Sequence, residues 1–316
     1  MSPEHFEIRD ACPACAGPRR REIYRLSYEG PEMTGYLESF YGSQGRYEPG
    51  YLVGAAYVLD LCEDCGVIYQ EQVPDDRLLH RLYERWIEPE QALELYRRTR
   101  GLGSVVGAAR YLADFHRHLG ARPYQLEVLD FGMGWGQWCH LARGFGCDVV
   151  GIELSESRIR HAEAEGLRVL GWDEVEARTF DVIHAEQVFE HLTEPLATLE
   201  RLTRRLRPGG LFYLAVPNGA GMLETLKSPD WTATKGSARS LNPVAPLEHL
   251  NCFDRRSLLR MAARAGLEPV TELPPARDLS LPRRLERLLQ HLYYRLRGRS
   301  ETQLLLRKPI SIPVTL

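Results

Sequence analysis

Beyond residue 125 the chain alternates short apolar runs with stretches of helical spacing, and this alternation constrains the fold more than any other feature. Parallel strands cannot be joined by a tight turn, so each needs a crossover, usually a helix, before the next strand begins. The pattern therefore predicts an α/β fold with a mostly parallel sheet. The predicted strands lie at 126–131, 148–152, 167–172, 180–184 and 211–216, with 268–273 and 303–308 as the last two.

The first predicted strand leads into a loop with three alternate glycines, Gly132, Gly134 and Gly136, ahead of a helix. Glycine permits a sharp turn and lets a ligand approach the main chain without a Cβ in the way. The helix that follows presents free N–H groups at its N-terminus. Plain turns and nucleotide sites share this pattern, so by itself the loop predicts only a crevice at this edge of the sheet.

Polar or aromatic side chains follow the next three predicted strands at the same edge. Glu153 follows the second strand, 23 residues after Asp130, where a carboxylate can accept both hydroxyls of a ribose. Trp172 and Asp173 follow the third strand and offer an aromatic face and an acceptor suited to an adenine ring and its amino group. Glu186 follows the fourth strand. Each is an ordinary strand-end residue alone, but their convergence predicts a binding site.

Four runs of sequence, LDFGMGWG, VVGIELS, FDVIHAEQVFEHL and LRPGGLFYLAVPN, resemble in this order the motifs of class I S-adenosylmethionine-dependent methyltransferases. The resemblance covers roughly residues 105–310 and implies a Rossmann-like, seven-stranded sheet that binds S-adenosylmethionine. It implies that Asp130, Gly132 and Gly134 hold the methionine end of the cofactor. Glu153 would then hold the ribose, Asp173 the adenine, and Glu186 would lie near the methionine moiety or the acceptor. The candidate cofactor-binding residues are Asp130, Gly132, Gly134, Gly136, Glu153, Leu154, Trp172, Asp173 and Glu186.

A dinucleotide-dependent dehydrogenase is the main structural alternative, because it also combines a glycine loop with a later acidic residue. Its usual fingerprint is G-x-G-x-x-G, whereas this loop reads G-x-G-x-G. The loop also follows Asp130, whose charge would repel a pyrophosphate. Both differences favour S-adenosylmethionine.

Two Cys-x-x-Cys pairs near the N-terminus have the spacing of metal-binding knuckles. Four thiolates in tetrahedral geometry select zinc and leave no open position for chemistry, so the sequence predicts a structural zinc ion. Gly66 and Gly17 are expected to supply the left-handed turns that point N–H groups at the sulfurs. The alternative is a coincidence of buried or redox-active thiols. The predicted ligands are Cys12, Cys15, Cys62 and Cys65, while Cys139, Cys147 and Cys252 are expected to be buried thiols.

The knuckles, helices and class I domain together resemble bacterial methyltransferases with an N-terminal zinc ribbon, which often act on sugars, surface glycans or natural products. The predicted division is a zinc-binding, β-rich module at 1–73, linker helices at 74–120 and a methyltransferase domain at 121–316. The module contains a tyrosine-rich excursion between the cysteine pairs. Its tyrosines could form a lid over the acceptor or fill the core of the module. An Arg-rich helical insertion is predicted at 281–299, as a solvated helix or a partner surface.

Two histidines lie on segments expected to border the acceptor. His191 follows the fourth strand and His249 lies in a long loop at 217–250 after the fifth. A histidine can accept a proton near neutral pH, so both are candidate catalytic bases, although either could simply brace its segment. Lys235 and Arg239 in the long loop could bind an acidic acceptor or remain solvated.

The predicted activity is O-methylation of a sugar, glycan or natural-product small molecule, with C- or N-methylation as the alternative chemistry. The net charge of −3 argues against bulk nucleic-acid binding, and Arg19 to Arg21 is the only short basic cluster in the zinc module. An RNA-directed zinc-ribbon protein and an inactive cofactor sensor remain alternatives of other classes. The chain has no run of about 18 apolar residues and no signal-peptide pattern, which predicts a cytoplasmic protein without a membrane span. The sequence makes no prediction of oligomeric state.

Overall fold

The computed structural model describes residues 3–42, 46–99, 101–271 and 301–310. In chain order its strands are β1 (Phe6–Ile8), β2 (Arg20–Ser27), β3 (Ala56–Cys62), β4 (Ile68–Gln70), β5 (Gln72–Pro74), β6 (Glu127–Phe131), β7 (Asp148–Ile152), β8 (Phe180–Glu186), β9 (Leu206–Pro217), β10 (Asn251–Cys252), β11 (Glu268–Pro269) and β12 (Glu301–Arg307). Its α-helices are α1 (Pro31–Tyr41), α2 (Asp76–Arg81), α3 (Pro89–Thr99), α4 (Leu102–Leu119), α5 (Gln137–Gly144), α6 (Glu156–Ala164), α7 (Trp172–Glu176), α8 (Pro195–Arg205), α9 (Met222–Thr225) and α10 (Arg255–Arg264).

The main sheet has the strand order β11-β12-β9-β8-β6-β7. Strands β6 to β9 are parallel, and β12 and β11 join antiparallel at one edge. At the other edge Val169 makes a single parallel bridge to Gly151 and stands where a seventh strand would lie. The strand predicted at 167–172 is shortened to this bridge because Gly171 already caps the start of α7. The Rossmann-like α/β prediction is confirmed.

A second, antiparallel sheet carries the cysteine module, with the order β10-β4-β3-β2. Its edge strand β10 belongs to the segment that follows the long loop of the methyltransferase domain, about 180 residues after β4 in the chain. A main-chain ladder therefore joins the module to the segment that carries His249, and the two parts are interlocked rather than tethered by a linker alone.

The tyrosines of the excursion form one aromatic cluster. Tyr28, Tyr41 and Tyr57 are fully buried, and the cluster extends to Trp86 in the linker and to Trp231 in the long loop. Trp231 packs against Tyr57 with ring centroids 5.8 Å apart. These large rings pack together with buried aliphatic residues of the module, such as Leu37, Leu52 and Leu59, in one apolar core. These three tyrosines are therefore core residues, as the second of the two alternatives predicted.

The predicted Arg-rich helix at 281–299 lies outside the described residues. Within the described ranges, no helix combines the length and the apolar character that crossing a bilayer requires. The long loop after β9 is described throughout and folds back over the module, where short turns at Met222–Thr225 and Asn242–Val244 lead to His249.

Candidate cofactor and acceptor site

The glycine loop lies at the carboxyl edge of the sheet, between β6 and α5. Gly132, Gly134 and Gly136 have φ angles of 73°, 54° and 79°, a region that disfavours side chains. A Cβ on Gly132 would also overlap the side chain of Val188. The N–H groups of Gly132 and Met133 donate to the carbonyl of Ile152 at 2.9 and 3.1 Å, which ties the loop to the end of β7.

Glu153 lies against this loop, as the sequence predicts. Its Oε2 accepts from the N–H of Gly134 at 2.9 Å, and its Oε1 accepts from the N–H groups of Leu154 and Ser155 at 2.8 and 3.1 Å. The carboxylate therefore stands between the glycine loop and the N-terminus of α6, within 3.9 Å of Arg158. Leu154 is 82% exposed beside it and leaves an apolar side chain free at the same edge.

Asp130 lies beneath the loop rather than on its open side. It is 3% exposed, and its carboxylate accepts from Nδ1 of His184 at 2.8 Å and from the thiol of Cys139 at 3.4 Å. The His184 ring is stacked between Trp138 and Tyr213, with centroids 3.9 and 5.1 Å away. These contacts fix the carboxylate from below, and the stack brings together residues from α5, β8 and β9.

The other predicted cofactor residues lie around the same edge. Trp172 opens α7 and packs against Phe131 with centroids 5.6 Å apart, while the guanidinium of Arg201 covers its ring at 3.8 Å. Asp173 is exposed in the first turn of α7. Glu186 ends β8, with its Oε2 3.6 Å from Nε2 of His184.

The segment after β8 connects the glycine loop to the candidate bases. Gln187 has a φ of 57°, which is uncommon for a residue with a side chain and turns the main chain sharply at the strand end. Val188 then covers Gly132, and Phe189 packs against Phe131. His191 follows two residues later, so its position depends directly on the contact with the glycine loop.

The two candidate histidines meet, although 58 positions separate them in the chain. Their ring centroids are 4.8 Å apart at an interplanar angle of 82°. Nδ1 of His191 lies 2.9 Å from the carbonyl of Glu248 and 3.1 Å from the hydroxyl of Tyr83, and Nδ1 of His249 bonds to the carbonyl of Asn242. A carbonyl can only accept, so each Nδ1 carries the hydrogen and each Nε2 keeps a lone pair.

A buried carboxyl group lies beside this pair of rings. Glu190 is 1% exposed, and among the described residues neither of its oxygens has a hydrogen-bond partner. Its Oε1 lies 3.7 Å from Nε2 of His191, and one ligand atom each of Glu190, His191 and His249 falls within 4.8 Å of the others. Burial raises the pKa of Glu190 to about 8, lowers that of His191 to about 4 and lowers that of His249 strongly. Both imidazoles are therefore neutral at pH 7.

The sequence indicated the histidines but not their surroundings. Glu190, Tyr83 and Glu248 are recognised only in the folded chain, as is Tyr41, whose hydroxyl donates to Oε1 of Glu248 at 2.8 Å. Glu190 and Glu248 each directly precede a candidate histidine, but Glu4 also precedes His5, so this pairing alone would not have singled out the two acids. Lys235 lies near enough to act electrostatically on both carboxyls.

The buried Glu190 predicts an unusual pH dependence of stability. Its pKa is about 8 in the folded chain against 4.5 normally, so the folded state holds the proton more tightly and the unfolding free energy decreases as the pH rises from 4.5 to 8. The depressed pKa of His191 acts in the opposite sense, but only below pH 6.5. Between pH 6.5 and 8 we expect the wild type to lose about 2 kcal/mol of unfolding free energy that Glu190→Gln does not lose. Urea unfolding of both proteins at the two pH values measures this difference. An equal loss in both proteins would contradict this assignment.

The two cysteine pairs meet in the N-terminal module. The Sγ atoms of Cys12 and Cys65 lie 3.6 Å apart, as do those of Cys15 and Cys62, and all four sulfurs are buried within 4.8 Å of one another. The thiol of Cys12 hydrogen-bonds to Cys65 and lowers the pKa of Cys65 to about 6. This is a compact set of four soft donors, as a tetrahedral metal site requires.

The turns behind the sulfurs differ in part from the prediction. Gly66 has the expected left-handed backbone, with a φ of 87°. In the first knuckle Ala16, with a φ of 55°, makes the left-handed turn, and the prediction for Gly17 is wrong. The side chain of Asp64 lies beside Gly17, and a Cβ there would have to displace its carboxylate. Cys139, Cys147 and Cys252 are buried thiols, as predicted.

Comparison with known proteins agrees with this geometry. Residues 105–272 match the family model described as a methyltransferase domain, which is more than half of the 316-residue chain. The ubiquinone biosynthesis O-methyltransferase of Mesorhizobium japonicum is 33% identical over 109 residues, which are 31% of this chain and 44% of that protein. The enzyme of the same name from Cereibacter sphaeroides is 36% identical over 118 residues, 34% of this chain and 48% of that protein. The match thus spans about half the length of these relatives.

Among solved structures, the plantazolicin methyltransferase BamL, in complex with a substrate analogue and S-adenosylhomocysteine, has 16% identity and a TM-score of 0.48, with 73% of this chain and 95% of that chain covered. The 1,6-didemethyltoxoflavin-N1-methyltransferase of Burkholderia thailandensis has 21% identity and a TM-score of 0.41, with 70% and 87% covered. The family match and the sheet order rest on separate observations, and they agree. The chain therefore belongs to the methyltransferase domain family, in its S-adenosylmethionine-dependent, Rossmann-like form.

Proposed function

We propose that this protein methylates a hydroxyl group of a small molecule, such as a sugar, glycan or natural product, at a site formed by the glycine loop and the two histidines. The observation that carries the proposal is the pair of neutral imidazoles, each with Nδ1 bonded to a backbone carbonyl and, among the described residues, with no hydrogen bond at Nε2. A hydroxyl must lose its proton to become a strong nucleophile, and a fixed lone pair can receive that proton. The name O-methyltransferase of the partly matching relatives supports oxygen as the acceptor atom.

The cofactor-binding residues fit S-adenosylmethionine. The three left-handed glycines leave space for a ligand beside the main chain, and the Glu153 carboxylate stands at the same edge for a ribose. Asp130 would support the loop from below, since its carboxylate is already bonded to His184. Leu154, Trp172 and Asp173 would border the adenine, and Glu186 the methionine moiety. The bound cofactor supplies an electrophilic methyl group.

His249 and His191 would hold the acceptor hydroxyl and take its proton at Nε2. Burial keeps both rings neutral but also makes them weaker bases. The carboxyl group of Glu190, 3.7 Å from Nε2 of His191, would stabilise an imidazolium when ionised, and its pKa of about 8 places this form mainly above neutral pH. His249 and Glu190 are buried, which limits the access of water to the proton transfer, while the side chain of His191 is 25% exposed.

The four cysteines would hold one structural zinc ion. The fit rests on four buried sulfurs within 4.8 Å of one another, with left-handed turns in both knuckles. No sulfur is left over for chemistry, so the ion would stabilise the module. Two of the three arginines in the basic cluster are already paired, Arg19 with Asp64 and Arg20 with Asp60 and Glu71, so little positive charge remains for RNA.

The direct test is transfer of a labelled methyl group from S-adenosylmethionine to a panel of sugars, phenols and polyketide alcohols. Product identified by mass spectrometry and NMR would show whether oxygen, nitrogen or carbon carries the methyl group. Cofactor binding without transfer to any acceptor would indicate a sensor, and salt-sensitive RNA binding would indicate the RNA-directed alternative. Activity abolished by EDTA without loss of the cysteine-bound metal would indicate a cation held by Glu190 and the histidines.

We expect Glu153→Ala to abolish measurable binding of S-adenosylmethionine, because the change removes the ribose acceptor and also releases the N–H of Gly134. Loss of a charge-assisted pair of hydrogen bonds costs roughly 3 kcal/mol or more, about a hundredfold in affinity. Calorimetric titration with the cofactor measures this. Glu156→Ala, an exposed acid three positions later, is the control and should bind as the wild type does. Unchanged affinity in Glu153→Ala would refute the placement of the ribose.

A further inference from the structure

Arg9 is a buried cation of the cysteine module that is 8% exposed and lies three positions before Cys12. Its main chain is anchored within the module: its N–H donates to the carbonyl of Glu71 at 2.9 Å, and its carbonyl accepts from Arg20 at 2.6 Å. Its side chain leaves the module and enters the space between two loops of the methyltransferase domain.

The guanidinium ends on the residues that directly follow the two candidate bases. One nitrogen, Nη2, donates to the carbonyls of Leu192 and Thr193 at 3.1 and 2.6 Å, immediately after His191. The other, Nη1, donates to the carbonyl of Leu250 at 3.2 Å and to Oδ1 of Asn251 at 3.1 Å, immediately after His249. It also reaches the carbonyl of Gln70 in β4 at 3.3 Å.

Asn251 completes the connection between the two loops. Its Nδ2 donates to the carbonyls of Phe189 and Leu192 at 3.0 and 2.7 Å, and its main-chain N–H donates to the carbonyl of Glu190 at 3.0 Å. The same residue pairs with Tyr69 of the module in the β10–β4 ladder. Arg9 and Asn251 therefore join three pieces of chain around the histidine pair.

Only arginine can make this set of contacts. Its planar guanidinium carries five donors in a fixed fork, whereas the ammonium of lysine is a compact point that cannot reach carbonyls on both sides. Burial lowers the pKa of Arg9 to about 10, which leaves it charged at neutral pH. Charged donors form stronger hydrogen bonds to carbonyls than neutral ones, and the fork fixes the distance between the two loops.

We propose that Arg9 is a positioning residue, which holds the His191 and His249 loops at the separation the proton acceptor requires and so makes the cysteine module part of the acceptor site. The proposal rests on the proposed function for the role of the two histidines. It also gives the metal-binding module a purpose beyond its own stability, because the segment that ends at Cys12 supplies the guanidinium.

The test compares Arg9→Gln and Arg9→Lys with the wild type, using protein labelled with ¹³C at the Cε1 of histidine. Signals of His191 and His249 are assigned from His191→Gln and His249→Gln. In Arg9→Gln we expect both signals to move and their titration midpoints to rise toward the ordinary value of 6.5 as the loops part. With an acceptor from the panel in hand, kcat should fall about ten- to a hundredfold while the KM for S-adenosylmethionine stays unchanged. Arg9→Lys should restore only a part of the wild-type histidine signals and of the wild-type kcat.

Arg21→Gln is the matched control, since Arg21 is an exposed arginine of the same module and should leave both signals and kcat as in the wild type. Unmoved histidine signals in a folded, metal-loaded Arg9→Gln would overturn the proposal. If Arg9→Gln does not fold, the histidine signals of Arg9→Lys provide the test instead. Failure of both variants to fold would show that Arg9 has a purely structural role and would also overturn the proposal. If the histidine signals move in Arg9→Gln but the wild type transfers no methyl group to any acceptor, the positioning role of Arg9 stands and the proposed function is rejected.

Discussion

Cys62→Ser is expected to release the bound metal and unfold the cysteine module. Cys62 ends β3, one of the two inner strands of the module's sheet, and its sulfur lies 3.6 Å from that of Cys15. Structural zinc contributes roughly 10 kcal/mol or more to the folding of small domains, which exceeds the whole stability of a typical domain. Elemental analysis should show about one zinc per chain in the wild type and much less in the variant, with an early transition in thermal unfolding.

Cys147→Ser is the matched control, because Cys147 is also a buried thiol but lies far from the cluster in the methyltransferase domain. It should keep its zinc and lose only about 1–2 kcal/mol from the burial of a hydroxyl. A wild-type protein that is metal-free yet fully folded would contradict the zinc assignment. A metal that is present but released without any change in the thermal transition would contradict its structural role.

His249→Ala is expected to lower kcat for methyl transfer by roughly 10²- to 10⁴-fold, the range typical of a lost general base. Its affinity for S-adenosylmethionine should remain that of the wild type, because the glycine loop and Glu153 belong to other segments. The measurement is initial rates with saturating cofactor and the acceptor identified from the panel, together with calorimetric titration of the cofactor. A lower kcat together with an unchanged affinity for S-adenosylmethionine would show that His249 acts in catalysis and not in cofactor binding.

His80→Ala provides the control for this change, since His80 is exposed on α2 and contributes nothing to the pair. His191→Gln should resemble His249→Ala if both rings serve one proton transfer, and the double variant should then cost little more than either single change. Wild-type kcat in His249→Ala would remove this histidine from the mechanism and leave His191 as the remaining candidate.

Local features of the sequence were enough to predict that the candidate cofactor residues lie at one edge of the sheet. Gly132 to Gly136 lie between a strand and a helix, and Glu153 follows the next strand, so topology alone brings them to one edge. The prediction missed the shortening of the third strand, because Gly171 starts a helix where the apolar run continues. It also left open whether the tyrosines form a lid or a core, which depends on what the excursion packs against.

The acceptor side was less accessible from sequence. His191 and His249 could be named as candidates, but no spacing rule relates residues in separate loops, and the partnership with Glu190 and Tyr83 appears only after folding. Arg9 has no motif at all: an arginine near the N-terminus is an ordinary surface residue until its five acceptors come together.

The sequence by itself determined the strand and helix order, the left-handed glycine loop and the grouping of the four paired cysteines. Each depends on the stereochemistry of a few neighbouring residues or on short spacings that survive in any fold. Only the tertiary structure decided that β10 joins the module, that Asp130 is bonded to a stacked histidine, and that Arg9 connects the two histidine loops. Those contacts join residues 54 to 242 positions apart, and their partners are selected by packing and by the need to satisfy buried polar groups.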